Sequence, residues 1–330
     1  MAQVIRMHEV GGPDVLRVET VQVEAPGPGQ VLIRQAAVGI NYADTYFRNG
    51  TYPVPLPSGL GVEAAGVIEA VGPGVTHVQA GDRVSYTGFL NTLGAYCTER
   101  LLAADALIRL PDDIDMQTAA AISNRGLTAA YLLLRLHPFQ PGDTLLLHAA
   151  AGGLGSLVAQ WARHLGLVVI GTVSTEEKAQ QAIANGCAHV INYCLEDVAA
   201  RVHDITNGHG VDVVLDTVGK DTFMSSIKSL RRRGLMVCAG TSSGPVPPVD
   251  PQMLARHGSL FLTRPALADY IATPSEKAAL LDALFTGLRT GWLRADIGQR
   301  YELAEATRAH HELEARRTTG ASIFVVSGER

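Results

Sequence analysis

One stretch of the chain, from Thr144 to Gly171, constrains its fold more than any other, because it alternates apolar runs with a glycine-rich turn. The run Thr144–His148 is apolar and short, which is typical of a strand buried on both faces of a parallel sheet. The turn that follows, Ala149–Gly155, holds three glycines, which permit a tight bend and a close approach of the backbone to a ligand. The pattern predicts a strand that leads into an anion-binding turn.

A helix and a second strand follow this turn. Leu157, Trp161 and Leu165 recur every four residues and form one apolar stripe, and Gly166 is placed to end the helix. The turn lacks a strict G-x-G-x-x-G, because Gly-Gly-x-Gly replaces it, so a turn without a ligand is the alternative interpretation. The strands on both sides favour a dinucleotide site.

The end of the second strand, Leu167–Val173, favours one cofactor over another. An NAD site usually has Asp or Glu here to bind the ribose 2′-hydroxyl, and this chain has none. Ser174 and Lys178 are four residues apart, which would place a hydroxyl and an ammonium on one helix face near its positive end. These groups suit the 2′-phosphate of NADPH. In the alternative interpretation Ser174 and Glu177 form a capping box and Lys178 is solvated.

Composition and charge exclude several classes of partner. A chain of 330 residues with 47% hydrophobic residues is long enough for two domains. The net charge of −5 favours neither nucleic acid nor an anionic membrane as a partner. The basic run Arg231–Arg233 is predicted to stand at a helix end, where cations offset the helix dipole.

The apolar runs and the cysteines indicate the cellular compartment in which the protein is expected. No apolar run approaches the length of a membrane span, and the first residues lack the core of a signal peptide, so we expect a cytoplasmic protein. The cysteines form no C-x-x-C pair and are expected to be buried or idle thiols. They are Cys97, Cys187, Cys194 and Cys238.

Two kinds of pattern divide the chain. Before residue 125 short strands alternate with Gly and Pro, which indicates a β-rich domain. From about 126, helices alternate with apolar strands, which predicts a doubly wound parallel sheet and an α/β fold. A helix near 275–289 and a strand at 323–326 are expected to complete the first domain.

The chain resembles a known family along nearly its whole length. The segments that carry the resemblance include the 149–155 turn, and they are similar to those of the quinone oxidoreductases, the zeta-crystallin-like branch of the medium-chain dehydrogenase/reductase superfamily. The resemblance implies a GroES-like catalytic domain from 1–125 and 266–330, a Rossmann domain at 126–265 between them, and a cleft that binds NADPH. The other segments are Gly11–Leu16, Gly39–Tyr46, Pro57–Gly66 and Ala80–Val84.

The resemblance also predicts that no metal is bound. Zinc alcohol dehydrogenases of this superfamily carry Cys where this chain has Asn41, and His where it has Val62. The paired cysteines of a structural zinc lobe are also missing. Since a quinone or an enone is already electrophilic, it can accept hydride with hydrogen-bond help alone, whereas alcohol oxidation benefits from a Lewis acid.

Site residues follow from the resemblance one position at a time. It implies Asn41 and Tyr46 beside the nicotinamide, as candidate catalytic residues that also bind the cofactor. In the alternative, Asn41 is a turn residue and Tyr46 a packed aromatic. Asp44 and Glu63 are the acids expected nearest the cleft, and neither is assigned as a proton donor. The other implied cofactor-binding residues are Tyr131, Gly152, Gly153, Leu154, Ser174, Lys178, Tyr193, Thr217, Gly240, Thr241, Ser242, Arg264 and Arg316.

Two of the implied cofactor-binding residues could instead have a purely structural role. Tyr193 could be a strand residue and Arg316 a solvated helix residue.

The leading hypothesis is an NADPH-dependent quinone oxidoreductase. The alternatives are an enoyl or alkenal double-bond reductase and a non-catalytic NADPH-binding protein. The resemblance also implies a homodimer, paired through the strand at 259–264, because an open apolar edge strand is a liability.

Overall fold

The computed structural model describes residues 1–88 and 92–326, and the chain divides into two compact units. Unit 1 combines Met1–Gly126 with the segment from Ala295 onward, and unit 2 is Leu127–Arg294. The chain therefore leaves unit 1, builds unit 2, and returns.

The first segment of unit 1 is mainly antiparallel β-structure. Strands β2, β1 and β4 form one sheet, and β3 pairs with β5 and β7 in another, where β5 continues to β6 and β8. The elements are β1 (Ala2–Met7), β2 (Arg17–Val21), β3 (Gln30–Ile40), α1 (Tyr42–Arg48), β4 (Ser58–Gly59), β5 (Glu63–Val71), β6 (Arg83–Thr87), β7 (Glu99–Ala103) and β8 (Leu107–Arg109).

Unit 2 alternates helices and strands, and helix α2 crosses the boundary from unit 1. The elements are α2 (Met116–Leu134), β9 (Thr144–Leu147), α3 (Gly153–His164), β10 (Val168–Val173), α4 (Glu176–Ala184), β11 (His189–Asn192), α5 (Val198–Ile205), β12 (Val211–Asp216), α6 (Phe223–Ser229), β13 (Leu230–Cys238), α7 (Pro251–Arg256), β14 (Phe261–Thr263), α8 (Leu267–Tyr270) and α9 (Pro274–Thr290).

The strands of unit 2 form a parallel sheet in the order β11-β10-β9-β12-β13-β14. This is the 3-2-1-4-5-6 order of a Rossmann dinucleotide-binding sheet, in which ligands bind at the carboxyl ends of the strands. One fully buried side chain from each of five adjacent strands lies in the same core cluster, and each stabilises the fold by about 1.5–3 kcal/mol. These residues are Leu146, Ile170, Ile191, Val214 and Met236. The predicted α/β fold with a doubly wound sheet is confirmed.

The second segment of unit 1 adds strands to the β3 sheet. Its elements are β15 (Ile297–Glu302), α10 (Ala306–Glu314) and β16 (Ala321–Val325). Strand β16 pairs antiparallel with β3 and parallel with β15, so the return segment completes a sheet that the first segment began.

The return to unit 1 lies later than the predicted residue 266. Trp292 packs on Trp161 of α3 with ring centroids 5.3 Å apart and stacks on His164 at 4.0 Å. Arg294 donates its backbone N–H to Gln160 Oε1 over 2.9 Å. These contacts hold residues up to Arg294 on unit 2, which no local sequence pattern signalled.

Two strand boundaries also differ from expectation. The run Arg231–Arg233 was predicted at a helix end, and this was wrong, because it lies in β13 after α6 ends at Ser229. The Arg231 charge is matched by Asp212, whose Oδ1 is 2.5 Å from Arg231 Nε, rather than by a helix dipole. Strand β14 is shorter than 259–264, since Ser259 has a positive φ of 58°.

Within the described part of the chain, no helix combines the length and apolar character needed to cross a membrane.

Candidate functional site

The glycine-rich turn after β9 has the geometry of an anion cradle. Gly152 is the N-cap of α3 and has no side chain to cap the helix, so no side chain occupies the first N–H groups of α3 and they can donate to an anion. Gly155 packs so closely that a Cβ there would lie 2.3 Å from the carbonyl oxygen of Ala149. Only glycine fits at this position, as expected where a helix packs tightly on a strand. The turn therefore fits the pyrophosphate of a dinucleotide.

The carboxyl edge of the unit 2 sheet brings most of the predicted cofactor residues together. Each follows the end of a strand in the observed order, and the structure thus places them on one edge even though they span more than a hundred residues of chain. They are Gly152, Gly153 and Leu154 after β9, Ser174 and Lys178 after β10, Tyr193 after β11, Thr217 after β12, Gly240, Thr241 and Ser242 after β13, and Arg264 after β14.

Ser174 and Lys178 do not lie on one helix face, contrary to the prediction. Helix α4 begins at Glu176 with Thr175 as its N-cap, and the Thr175 hydroxyl accepts the Lys178 N–H over 3.3 Å. Ser174 precedes the helix, so the two residues do not share a helix face and Ser174 is not the cap. Both residues follow the carboxyl end of β10, which ends at Val173.

Tyr193 lies at the same corner of the sheet. Its backbone N–H donates to the carbonyl oxygen of Val173, the last residue of β10, over 3.1 Å. Its side chain is 38% exposed, in contrast to the buried core of the strands. An exposed aromatic at the carboxyl edge is available to a ligand.

Tyr131 and Arg264 form a further part of this edge. The Tyr131 ring stacks on Tyr270, with centroids 4.4 Å apart and planes at 13°. Burial raises the pKa of Tyr131, and the charge of Arg264 opposes that rise. Arg264 also donates to the carbonyl oxygen of Cys238 at the end of β13, over 2.8 Å.

In unit 1, Asn41 belongs to a buried polar cluster rather than to a simple turn. Its side-chain amide donates to Glu63 Oε1 over 2.7 Å. Glu63 also accepts the backbone N–H of Asn124 at 2.5 Å, and Arg125 approaches Glu63 at 3.4 Å. Burial raises the pKa of Glu63, and the guanidinium of Arg125 opposes that rise. The cluster fixes the orientation of the Asn41 amide.

Asp44 lies one helical turn beyond Asn41 and is fully buried. Its Oδ2 accepts the backbone N–H of Asn41 and the hydroxyl of Tyr96, each over 2.8 Å. Burial raises the pKa of Asp44 to about 7, although both hydrogen bonds favour the charged form. Asp44 is therefore a titrating group next to Asn41, but its Oδ1 has no hydrogen-bond partner among the described residues.

The chain of contacts continues from Tyr96 into the return segment. The Tyr96 hydroxyl lies 3.1 Å from His310 Nε2, and Arg48 lies 2.8 Å from His310 Nδ1. Burial, with the nearby charge of Arg48, lowers the pKa of His310 to about 3. Sequence reasoning missed Tyr96, His310, Asn124 and Arg125, because each is distant in the chain from its partner and belongs to no motif.

Tyr46 and Arg316 are the remaining predicted residues. The Tyr46 ring makes edge contacts with Tyr42 and Tyr52 and is 8% exposed, so it packs in an aromatic cluster. Arg316 follows α10, has a φ of 58°, and is exposed. Burial raises the pKa of Tyr42, and the charge of Arg316 opposes that rise.

The position of the superfamily's catalytic zinc carries different groups in this chain. Val62 is fully buried and offers no ligand atom, and the Asn41 amide binds Glu63. Across residues 1–88 and 92–326, no cluster of three or more His, Cys, Asp or Glu side chains could hold a metal ion.

Family models match both units. Residues 27–134 match the alcohol dehydrogenase GroES-like domain, and residues 153–271 match the zinc-binding dehydrogenase model. The second model carries zinc in its name, whereas the zinc ligands discussed above are replaced in this chain.

Curated proteins and solved structures are similar over nearly the full chain. A quinone oxidoreductase from Pseudomonas aeruginosa is 47% identical over 326 residues, covering 98% of this chain and all of that protein. A 2-haloacrylate reductase from a Burkholderia species is 46% identical, with 98% of each chain covered. The crystal structure of Escherichia coli quinone oxidoreductase complexed with NADPH has a TM-score of 0.95 and 44% identity, covering 98% of this chain and 99% of that chain.

Proposed function

The chain belongs to the quinone oxidoreductase family of the medium-chain dehydrogenase/reductase superfamily, and we propose that it reduces quinones with NADPH and without a metal. The observation that carries the proposal is the carboxyl edge of the unit 2 sheet. There the N-terminus of α3 in the glycine turn has no side-chain cap, and the end of β10 is followed directly by Ser174 and Thr175 rather than by a carboxylate. When bound, NADPH supplies a hydride.

The residues of unit 2 bind and orient the cofactor in this proposal. The turn of Gly152, Gly153 and Leu154 binds the pyrophosphate through the N–H groups of Gly153 and Leu154, since a helix N-terminus favours anions. The Gly152 N–H donates to the carbonyl oxygen of Ala149 over 2.9 Å, so Gly152 contributes a backbone without a side chain. Ser174, Lys178 and Tyr193 bind the adenosine phosphate. The remaining assigned residues, Tyr131, Thr217, Gly240, Thr241, Ser242, Arg264 and Arg316, complete the cofactor site.

Asn41 and Tyr46 are the proposed catalytic residues of unit 1. Because Glu63 accepts one hydrogen of the Asn41 amide, the side chain is held in a single orientation. An oriented amide can donate a hydrogen bond to oxygen as negative charge develops there, at a smaller energetic cost than a mobile group. Tyr46 supplies an aromatic wall through its contacts with Tyr42 and Tyr52.

A second candidate function is reduction of a conjugated carbon–carbon double bond. The similarity to a 2-haloacrylate reductase, at 46% identity with 98% of each chain covered, favours this alternative. Both reactions need an electrophilic acceptor and the same cofactor, so they differ in the acceptor pocket alone. The residues described above do not distinguish them.

One assay separates these functions. NADPH oxidation is followed with 1,4-naphthoquinone, with 9,10-phenanthrenequinone, with 2-hexenal and with 2-chloroacrylate. We expect turnover with the quinones. Turnover with the enal or the haloacrylate alone would overturn the quinone assignment in favour of the second candidate, and tight NADPH binding without any turnover would favour a non-catalytic protein.

Metal independence is tested in the same assay. A quinone is already electrophilic and needs no Lewis acid, so preincubation with 1,10-phenanthroline is expected to leave the rate unchanged. Zinc-dependent loss of activity, restored by added zinc, would contradict this part of the proposal. A yeast-type zinc alcohol dehydrogenase serves as the positive control for chelation.

We also propose a cytoplasmic location, a homodimer, and a division of labour in which unit 1 is catalytic and unit 2 binds the cofactor. All four cysteines are free thiols, which suits a reducing compartment. Strand β14 ends the observed strand order, and Phe261 on it is 62% exposed, which supports pairing with a second copy.

A further inference from the structure

Asp216, the last residue of β12, is a buried acid that the proposed function does not use. Its side chain is 1% exposed, and no Lys or Arg pairs with it in the described ranges. Oδ1 accepts the backbone N–H groups of Val218 and Gly219 over 2.8 and 2.9 Å. Thr222 donates its hydroxyl at 2.8 Å from each carboxylate oxygen. One carboxylate therefore sets the course of the loop from Thr217 to Thr222.

Ser226 and His148 extend this arrangement to the glycine turn. Ser226 donates its hydroxyl to Asp216 Oδ2 over 2.8 Å, so its oxygen accepts from His148 Nε2 at 3.0 Å. His148 Nδ1 then accepts from the hydroxyl of Thr172 at 3.0 Å, and burial lowers the pKa of His148, which favours this neutral form. His148 immediately precedes the Ala149–Gly155 turn, so Asp216 is linked to that turn through two side chains.

The loop that Asp216 holds also touches the loop after β13. A Cβ on Gly240 would lie 2.3 Å from the carbonyl oxygen of Thr217, and one on Gly219 would lie 2.7 Å from that of Gly244. At such contact distances, a shift of the 217–222 loop displaces residues 240–244 as well. Three strand-end loops are thus coupled through one carboxylate.

We propose that Asp216 is a positioning residue for the cofactor, which holds the loops after β9, β12 and β13 in the arrangement that binds NADPH. This inference rests on the proposed function, because it takes these loops to be the cofactor-binding edge. Burying a carboxylate without a cationic partner is costly, and its donors here are all neutral. The buried carboxylate therefore depends on these donors, and the loop that supplies most of them depends on the carboxylate for its position.

The same strand offers a matched control at its other end. Asp212 accepts the backbone N–H and the hydroxyl of Thr144, each over 2.7 Å, and pairs with Arg231. It ties β12 to β9 at the amino edge of the sheet, away from the proposed site. Asp212→Ala therefore removes a comparable set of hydrogen bonds from the same strand without altering the strand-end loops.

The test measures NADPH affinity by fluorescence titration, NADPH KM and kcat, and Tm for Asp216→Ala, Asp216→Asn and Asp212→Ala. For Asp216→Ala we expect NADPH Kd and KM to rise about tenfold or more, the scale of a charged hydrogen bond, with a much smaller change in kcat at saturation. Asp216→Asn should be intermediate, since its amide oxygen can still accept from Val218 and Gly219. Asp212→Ala should lower Tm and leave NADPH Kd within about twofold.

An unchanged NADPH Kd in Asp216→Ala, with a drop in Tm like that of Asp212→Ala, would show a purely structural role and overturn the inference. If Asp216→Ala does not fold, Thr222→Val and Ser226→Ala each remove one donor and should still raise NADPH Kd by about threefold or more; no rise in either also overturns it. Because binding is the readout, a wild-type protein that binds NADPH but reduces no quinone would contradict the proposed function and leave this inference standing.

Discussion

The hydroxyl of Tyr96 donates to Oδ2 of Asp44 over 2.8 Å, and both residues are fully buried. His310 lies on the other side of the same hydroxyl, at 3.1 Å. The pKa of Asp44 is raised to about 7 while that of His310 is lowered to about 3. Two groups with opposite shifts thus share one phenol, and their contributions to stability have opposite dependence on pH.

Asp44 is expected to weaken the folded state as pH rises. Its folded pKa of about 7 exceeds the unfolded value of 3.8, so the folded state holds the proton more tightly, and its contribution to stability decreases between about pH 4 and 7. In full, the shift corresponds to roughly 4 kcal/mol. Asp44→Asn should therefore gain stability relative to wild type as pH rises across this window, measured as urea unfolding free energy. A constant difference from pH 4 to 8 would contradict the raised pKa.

His310 is expected to act in the opposite direction. Its folded pKa of about 3 lies below the unfolded value of 6.5, so the unfolded state takes up the proton first, and stability is lost as pH falls from about 6.5 toward 3. His310→Gln can still donate to Tyr96 and accept from Arg48, but it does not titrate. Its unfolding free energy should therefore fall less than that of wild type between pH 7 and 5. Exposed His209→Gln is the control and should follow the wild-type curve.

Gly155→Ala should disrupt the glycine turn. The added Cβ would lie 2.3 Å from the Ala149 carbonyl oxygen, so the start of α3 must move, at a cost of about 1–3 kcal/mol. We expect the free energy of NADPH binding to weaken by at least as much as the free energy of unfolding falls. The movement that lowers stability also displaces the first N–H groups of α3. Gly12→Ala, where a Cβ meets nothing within 4 Å, is the matched control. Equal NADPH affinity in both variants would show that the turn does not bind the cofactor.

Lys178→Ala tests the choice of cofactor. The ammonium is expected to bind the 2′-phosphate, so its loss should weaken NADPH binding by roughly 1–3 kcal/mol and change NADH binding little. Lys228→Ala, at an exposed position of α6, removes the same charge away from the carboxyl end of β10 and should leave both affinities unchanged. Equal losses for NADPH and NADH in Lys178→Ala would refute the assigned role.

Phe261→Glu tests the proposed dimer. The side chain is exposed on β14, which ends the observed strand order, so a charge there would be buried opposite its copy in a strand-paired dimer. Light scattering coupled to gel filtration should give a dimer for wild type and a monomer for the variant. Leu195→Glu, on a side chain that is 81% exposed outside the helices and strands, is the control and should remain dimeric.

The parallel sheet could be predicted from sequence because its signals are local. Thr144–His148, the glycines and the stripe of Leu157 and Trp161 each lie within one element, and the structure confirms strand, turn and helix. Which residue caps α4 was harder to predict from the sequence. Thr175 and Ser174 are both good N-caps, and the end of β10 decides between them.

The polar clusters could not be predicted because their partners are distant in the chain. Tyr96 contacts Asp44 and His310 across separations of 52 and 214 residues, and Asp216 is linked to His148 through Ser226. No spacing rule relates such residues. The later return at Ala295 has the same cause, since the contact between Trp161 and Trp292 outweighs any local boundary signal.

The amide of Asn41 has a consequence for any attempt to introduce zinc ligands at this position. Cysteine at this position would remove the donor to Glu63 and leave that fully buried carboxylate with Asn124 and Arg125 alone. A histidine in place of Val62 would have to fit where no solvent reaches. Each of the two substitutions, introduced singly, would therefore be expected to destabilise the protein.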